Sequence, residues 1–222
     1  MSDAPSGARP RAPSPRAIEP FDPRPSVEAA VWALQTTQAP FVLIGGLALE
    51  AWGVGRSTKD VDFAVPVGAA EAAAGLFDPE TRKPLRIGGV GIRAPKNGIK
   101  IDFIDRRFYF RELYRELLEE AASANRSVSV SGIEVPLISL EYLLATKLVS
   151  GEPKDDFDVR RLLGLAGLDY GRARELVLKH LGAATAARLD VMAREAGRPE
   201  VRKSELYENG DDLMREADEQ YS

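Results

Sequence analysis

At 222 residues, the chain has room for one domain with a substantial core, or for a domain joined to a helical subdomain. The net charge of -4 argues against a protein that coats DNA by bulk electrostatic attraction. The absence of cysteine excludes disulfides and thiolate chemistry, and the single histidine, His180, excludes two-histidine metal motifs, so any catalysis should rest on carboxylates and a metal ion.

Residues 1–25 are dense in Pro, Ser, Ala and Arg, and this composition predicts a disordered arm. Its arginines fit either a solvated tail or a contact with nucleic acid. No apolar run approaches the ~20 residues that a membrane helix needs, and the N-terminus does not open with the apolar core of a signal peptide. We therefore expect a soluble, cytoplasmic protein with no membrane partner.

Residues 26–137 combine strand and helix patterns, which predicts an α/β core. Ser26 is expected to cap the first helix. A fully apolar run at 41–44 ends in Gly45 and Gly46, which indicates a buried strand and a tight turn. The other predicted elements are helices at 47–52, 69–77 and 109–122 and strands at 60–65, 85–92, 99–104, 128–130 and 133–135. The expected fold is α+β, a small mixed or antiparallel sheet with flanking helices.

Residues 138–198 show helical patterns only, so this part is predicted to be a helical cap domain, a C-terminal bundle. The predicted helices cover residues 139–150, 156–165, 170–181 and 183–196. His180 lies near the end of one of them and is interpreted as an ordinary helix residue. Residues 199–222 are predicted to be an acidic C-terminal tail.

Asp60 and Asp62 are separated by one residue on a predicted strand, so both carboxylates project from the same face. Two like charges this close repel unless one takes up a proton or a divalent cation neutralises the pair. The pair would also fit a solvated edge strand. A two-metal site needs a further carboxylate, and Asp102 fits because its strand could lie beside Asp60 and Asp62. Asp105 follows at the strand end and is interpreted as a turn residue.

The turn at Gly45 and Gly46 leads from a strand into a helix. Backbone N–H groups at such a helix start suit a phosphate, and glycine allows its close approach. Glycine also serves simple turns, so this feature alone does not specify a ligand. Together with Arg56 and the strand of Asp60 and Asp62, it predicts phosphate binding on one side of the site and metal binding on the other.

In this combined form the pattern resembles the nucleotidyltransferase superfamily of the polymerase-beta type, and within it the minimal bacterial members of the AbiEii and MenT toxin group. The matching residues are Gly45, Gly46, Ala48, Arg56, Thr58, Asp60, Asp62 and Asp102. The resemblance implies that Asp60, Asp62 and Asp102 bind Mg²⁺, in a two-ion site that could also accept Mn²⁺. It also implies that Arg56, Ser57 and Thr58 contact a nucleoside triphosphate.

The same toxin group carries a later helix with a lysine, followed by a basic-Asp-x-x-Asp element. The counterparts here are Lys147 and the run that contains Lys154, Asp155 and Asp158. Lys147 shares a helical face with leucines, so a bound triphosphate or a position at the edge of that face would explain its charge. Asp155 and Asp158 suit the start of a helix in any case. By resemblance, Asp155 orients or deprotonates an acceptor hydroxyl, or organises the residues that bind the triphosphate.

The implied reaction transfers a nucleoside monophosphate from the triphosphate to an acceptor hydroxyl, while Lys147 and Lys154 offset the triphosphate charge. Three acceptor classes stay open: RNA such as tRNA, a protein side chain, and a small molecule such as an antibiotic. The basic arm favours RNA as the acceptor, as do Arg82 and Arg86 further along the chain, whereas the net negative charge of the protein disfavours RNA. The competing interpretation is a catalytically silent nucleotide-binding module, or a partner in a toxin–antitoxin pair. A cognate antitoxin is a further implied partner of a toxin.

Overall fold

A five-stranded mixed sheet lies at the centre of the protein, as seen in a computed structural model that describes residues 22–55, 58–151 and 153–198. The strands are β1 (Val42–Ile44), β2 (Asp60–Ala64), β3 (Lys83–Pro84), β4 (Val90–Arg93) and β5 (Lys100–Ile104). Their order is β1-β2-β5-β4-β3, with β2 parallel to β5 and the other neighbours antiparallel. A separate hairpin pairs β6 (Ser127–Val130) with β7 (Ile133–Pro136).

Helices flank this sheet and make up the C-terminal part of the described chain. They are α1 (Arg24–Thr36), α2 (Gly45–Ala51), α3 (Ala69–Ala74), α4 (Arg111–Ala124), α5 (Leu140–Ser150), α6 (Pro153–Leu163), α7 (Tyr170–Leu181) and α8 (Ala183–Glu195). The predicted α+β class is therefore confirmed. Within the described ranges, none of these helices is both long and apolar enough to cross a bilayer.

The two faces of β2 differ because successive side chains of a strand point in opposite directions. Val61 and Phe63 are fully buried, on the face that joins the core. Helices α1 and α3 pack on this side of the sheet, against β4 and β5. Asp60 and Asp62 consequently project from the opposite face, which leaves the carboxylates of this strand together and outside the apolar core.

The N-terminal boundary of the fold differs from the prediction. Helix α1 begins at Arg24 and not at Ser26, because Pro25 fits a first helical turn, where its missing N–H is not needed. Ser26 is not the cap; it is buried, and its Oγ donates a hydrogen bond to Asn97 Oδ1 at 2.9 Å. Residues 1–21 of the predicted arm and the whole predicted tail, 199–222, lie outside the described residues.

Three internal boundaries also move. Helix α2 starts at Gly45, so both glycines belong to its first turn. The predicted strand 85–92 is replaced by a turn followed by β4, since Gly88 and Gly89 have φ angles of +96° and +106°, which break an extended strand. Helix α6 starts at Pro153, which places Asp155 in its first turn. The predicted hairpin and the four C-terminal helices are otherwise found within a few residues of their expected positions.

The helical part is joined to the sheet through the segment after β7. Ile138 N donates to Leu43 O at 3.3 Å, and the indole Nε1 of Trp52 donates to Ile138 O at 2.9 Å. One continuous cluster of buried apolar side chains includes residues of both parts. His180 lies on α7, with Nε2 2.9 Å from Glu116 Oε2 on α4. The division into a core at 26–137 and a cap at 138–198 stays a prediction.

Candidate functional site

Three aspartates meet on two neighbouring strands. Asp60 and Asp62 lie on β2, and Asp102 lies on β5, directly opposite Asp62 in the parallel register. Side chains opposite one another on adjacent strands project from the same face of the sheet. The sequence-based expectation that these strands lie side by side is therefore confirmed, and the three carboxylates face the same space.

Glycines make room for these carboxylates. Gly45 has a φ of +68°, and a Cβ atom there would lie 2.0 Å from Asp62 Oδ2. A Cβ on Gly46 would lie 2.4 Å from Thr58 Oγ1. Both glycines are thus explained by contacts inside the protein, whereas their predicted role beside a phosphate stays a prediction. Gly91, which the sequence did not single out, clears space in the same way, because its Cβ would lie 2.6 Å from Asp102 Oδ1.

A cavity of about 460 Å³ opens over this face of the sheet. Its lining includes every predicted site residue that the structure describes: Gly45, Gly46, Thr58, Asp60, Asp62, Asp102, Lys147, Lys154 and Asp155. Residues that approach from α2, β2, β5, α5 and α6 therefore share one space. Arg56 and Ser57 lie outside the described residues. The Thr58 hydroxyl donates to the backbone carbonyl of Asp60 at 3.4 Å, and its predicted contact with a nucleotide stays a prediction.

The carboxylates perturb one another. Burial, together with the charges of Asp102 and Asp60, raises the pKa of Asp62 from 3.8 to about 7, while Lys147 and Lys100 act in the opposite direction. Burial and the charge of Asp60 also raise the pKa of Asp102, against the effect of Lys100. Burial is the larger cause of both shifts, and the mutual repulsion of the three carboxylates adds to it; a cation bound between them would relieve that repulsion.

Lys100 is a member of the site that the sequence interpretation missed. Its Nζ lies 2.6 Å from Asp102 Oδ2. Burial opposes its charged form, but the hydrogen bond to Asp102 and the charges of the three carboxylates raise the pKa of Lys100 overall. A signal was present in the sequence, since residues two apart on a strand share a face.

A second charged cluster joins α5 to α6. The ammonium group of Lys147 lies 3.0 Å from Asp155 Oδ1 and 3.0 Å from Asp158 Oδ2. All three side chains are buried, with Asp158 fully inaccessible. Neither explanation that the sequence suggested for Lys147 anticipated this pair of carboxylates. The cluster fixes Lys147 at the cavity wall, and it gives Asp155 and Asp158 a role beyond the start of a helix.

Arg106 is the other cavity residue that sequence patterns did not identify. It is 7% exposed, and its guanidinium carbon lies 5.7 Å from the centre of the Tyr114 ring. Burial raises the pKa of Tyr114, which lines the same cavity, so its hydroxyl stays protonated. Arg106 follows the end of β5 with a φ of +46°, a conformation that strand alternation does not predict.

Three buried polar side-chain atoms lack a hydrogen-bond partner among the residues that the structure describes: Asp102 Oδ1, Arg106 Nε and Asp155 Oδ2. All three belong to residues that line the cavity. Buried polar groups in proteins are normally satisfied, so an unsatisfied group points to a missing ligand, ion or water. The two carboxylate oxygens suit a cation, and the guanidinium nitrogen suits an anion. A phosphate with a bound metal ion would supply both.

These carboxylates offer the type of oxygen ligand that Mg²⁺ prefers. Asp60 and Asp62 would hold the ion, and Asp102 Oδ1 is available beside them. As they stand, however, no three acidic or histidine side chains in residues 22–55, 58–151 and 153–198 are grouped closely enough to hold a metal. Lys100 engages the other oxygen of Asp102, so a full set of three ligands requires these side chains to rearrange.

No protein-family model and no curated protein match the chain. Among solved structures, an antigenic nucleotidyltransferase-like protein from Paracoccidioides brasiliensis aligns with a TM-score of 0.41 and 16% identity, over 74% of this chain and 92% of that chain. The antibiotic-resistance factor ANT(2'')-Ia aligns with a TM-score of 0.42 and 15% identity, over 86% of this chain and 98% of that chain. A second structure of that factor, in complex with adenylyl-2''-tobramycin, aligns at 0.40 and 13% identity, over 77% of this chain and 95% of that chain. At these levels the similarity describes overall shape only.

Proposed function

We propose that the protein is a Mg²⁺-dependent nucleotidyltransferase, which moves a nucleoside monophosphate from a nucleoside triphosphate to an acceptor hydroxyl. One observation carries this proposal: the unsatisfied buried atoms of Asp102, Arg106 and Asp155 all belong to one cavity that also contains Asp60 and Asp62. Carboxylates that need a cation and cationic groups that need an anion share this space. A triphosphate with its metal ion satisfies both.

The acidic wall of the cavity consists of Asp60, Asp62 and Asp102. Asp60 and Asp62 would hold Mg²⁺, with Asp102 as a third ligand. When bound, the ion supplies positive charge that offsets the negative charge of the triphosphate and of the oxygens around the reacting phosphorus. The raised pKa of Asp62 is consistent with this role, since burial and then the charges of Asp102 and Asp60 disfavour its ionised form, and a bound cation would favour it.

The cationic wall would bind the triphosphate itself. Lys147 and Lys154 line the cavity from α5 and α6, and Arg106 faces them from the end of β5. Asp155 does not face the cavity as a lone carboxylate, because its Oδ1 accepts a hydrogen bond from Lys147. This contact supports the organising role for Asp155, in which it fixes the position of Lys147. Arg56, with the hydroxyls of Ser57 and Thr58, is proposed to complete the nucleotide contacts.

The reaction forms one phosphorus–oxygen bond and breaks another. The acceptor oxygen attacks the α-phosphorus, the bond from that phosphorus to the bridging oxygen breaks, and pyrophosphate leaves. The hydroxyl proton passes to the carboxylate of Asp155, whose Oδ2 has no hydrogen-bond partner within the described part of the chain. Lys100 stabilises the ionised form of Asp102, which is the form that binds a cation, through its contact with Oδ2.

RNA, such as tRNA, is the proposed acceptor, and the proposed biological role is that of a toxin with a cognate antitoxin in the cytoplasm. Arg86 supports this choice, because it is exposed and lies next to Ile87, a cavity-lining residue. Arg82 does not support it, since its guanidinium donates to the backbone carbonyls of Phe77 and Gly75 and thus has a structural role. A protein or a small molecule as acceptor, and a catalytically silent module, are the outcomes that the experiment distinguishes.

The test is transfer of label from nucleoside triphosphates that carry ³²P at the α-position. The wild-type chain is incubated with Mg²⁺ and, in separate reactions, total RNA, total protein and a panel of aminoglycosides. We expect labelled RNA, and loss of label with Asp60→Ala/Asp62→Ala. Glu50→Gln, an exposed carboxylate on α2, is the control and should retain activity. Label on protein or on a small molecule would replace RNA as the acceptor. Binding of the nucleotide without any transfer would identify a silent module.

A further inference from the structure

Three consecutive aromatic side chains, Phe108, Tyr109 and Phe110, lie on the surface between β5 and α4. Their exposed fractions are 66%, 71% and 37%. Large exposed apolar side chains at consecutive positions commonly mark a binding surface, because single exposed apolar residues are frequent but clusters of them are not. We refer to these three residues as the aromatic platform. The binding of a triphosphate in the cavity does not require them.

The platform is presented by an anchored piece of backbone. Arg107 N and Nε both donate to Asp105 Oδ1 at 3.2 Å, and the Arg107 guanidinium also pairs with Glu71 on α3. Asp105 is buried, so this anchor joins the platform to the core of the fold. Arg106, which lies before the platform, and Phe110, its last residue, have φ angles of +46° and +60°. Backbone held in this unfavourable region is often found at functional sites.

The platform adjoins the catalytic cavity. The chain leaves the cavity wall at Arg106 and returns to it at Tyr114, and the exposed rings lie between these two lining residues. The turn at residues 85–89 packs against the same segment, since a Cβ on Gly88 would lie 2.8 Å from Arg107 N. Ile87 of that turn lines the cavity and is 37% exposed. A ligand that covers the rings can therefore extend into the cavity.

Exposed arginines lie on both segments of this rim: Arg111 directly follows Phe110, and Arg86 belongs to the turn at residues 85–89. Arg86 and Arg111 are exposed, and among the described residues neither is within ion-pair distance of a carboxylate. Glu112 follows Arg111 directly, but its carboxylate is paired with Arg115. The platform thus combines exposed aromatic faces with arginines that remain available to an anion. Bases stack on aromatic rings and arginines bind phosphates, which is how proteins hold single-stranded nucleic acid.

We propose that the aromatic platform, with Arg86 and Arg111, binds the unpaired end of an RNA acceptor and directs its terminal hydroxyl into the cavity. This inference rests on the proposed nucleotidyl transfer, and it adds the surface that selects the acceptor. A protein interface would also use aromatic side chains and arginine. The position of the platform at the rim of a cavity that needs an incoming hydroxyl favours RNA. Unpaired RNA suits it better than a duplex, because the faces of paired bases are already stacked.

The experiment measures RNA binding without nucleotide, so that it does not depend on transfer. A short, fluorescein-labelled single-stranded RNA is titrated with the full chain, and the fluorescence anisotropy gives Kd. For Phe108→Ala/Tyr109→Ala we expect Kd to rise at least about 10-fold, since each stacked base contributes measurably to affinity. Tyr109→Trp keeps a stacking face and should bind as the wild type does. Trp32→Ala removes a ring of comparable exposure on α1, 53%, and should also leave Kd unchanged.

Several results would overturn the proposal. An unchanged Kd in the double alanine variant would do so, and so would a duplex of the same sequence that binds as tightly as the single strand. A loss of self-association in the double variant, with RNA affinity unchanged, would identify the platform as an interface between copies. If RNA binding depends on the platform but no label is transferred, only the proposed reaction fails. If RNA is labelled with wild-type KM by the double variant, the reaction stands and the platform proposal fails.

Discussion

Replacing Asp62 with asparagine should change how the stability of the metal-free protein depends on pH. Burial and the charges of Asp102 and Asp60 raise the pKa of Asp62 from 3.8 to about 7. The folded state therefore holds this proton more tightly than the unfolded state. The stabilisation that results is complete below about pH 4 and is lost as the pH rises to about 7. At about 1.4 kcal/mol for each pKa unit, the wild type loses at most about 4 kcal/mol over this range relative to Asp62→Asn.

The assay is urea unfolding in EDTA across this pH range, followed by the fluorescence of the two tryptophans, Trp32 and Trp52. The Trp52 indole contacts Ile138 at the junction with the helical part. Glu50→Gln, an exposed carboxylate on α2, serves as the control. Addition of Mg²⁺ above about pH 7 should restore the wild type and leave Asp62→Asn unaffected, because a cation relieves the same charge. If the wild type and Asp62→Asn differed by a constant amount at every pH, the electrostatic reasoning would be wrong.

Gly45→Ala should lower the free energy of unfolding, measured by urea unfolding, by about 1–2 kcal/mol. An alanine is strained at the Gly45 φ of +68°, and its Cβ would meet the carboxylate of Asp62. Lys147→Met should cost about 3–5 kcal/mol, since it leaves buried carboxylates without their cation, and Lys147→Met/Asp158→Asn should recover part of that loss. If the double variant recovers none of the lost stability, the ion-pair argument is wrong. Lys100→Gln should move the acidic limb of the pH–rate profile to higher pH, because Lys100 lowers the pKa of Asp102, which must be ionised to bind Mg²⁺. A limb that does not move would show that activity does not require ionised Asp102.

The acidic wall of the site was predictable from strand alternation. Asp60 and Asp62 share a face by their spacing, and the same reasoning placed Asp102 on a strand beside them, where the structure finds it. Lys100 could have been found by the same rule, because it lies two residues before Asp102 on β5. Local periodicity is sufficient in these cases since each inference concerns one strand or two neighbouring strands.

The rest of the site depends on geometry that periodicity does not contain. Lys147 reaches Asp155 and Asp158 because α5 and α6 pack against each other, and the direction of that packing is not encoded in the spacing along one helix. Arg106 lines the cavity from a residue with left-handed backbone after the end of β5, where neither strand nor helix periodicity gives the direction of a side chain. Gly91 is explained only by the register of β4 against β5, which brings it opposite Asp102.

The position of the transferred label tests the central claim most directly. The protein is incubated with Mg²⁺, RNA and a nucleoside triphosphate that carries ³²P at either the α- or the γ-phosphate. Attack at the α-phosphorus predicts that RNA gains the α-label and not the γ-label, with pyrophosphate released, and that Asp60→Ala/Asp62→Ala abolishes the transfer. Transfer of the γ-label, or α-label transfer that survives in that variant, would contradict the account.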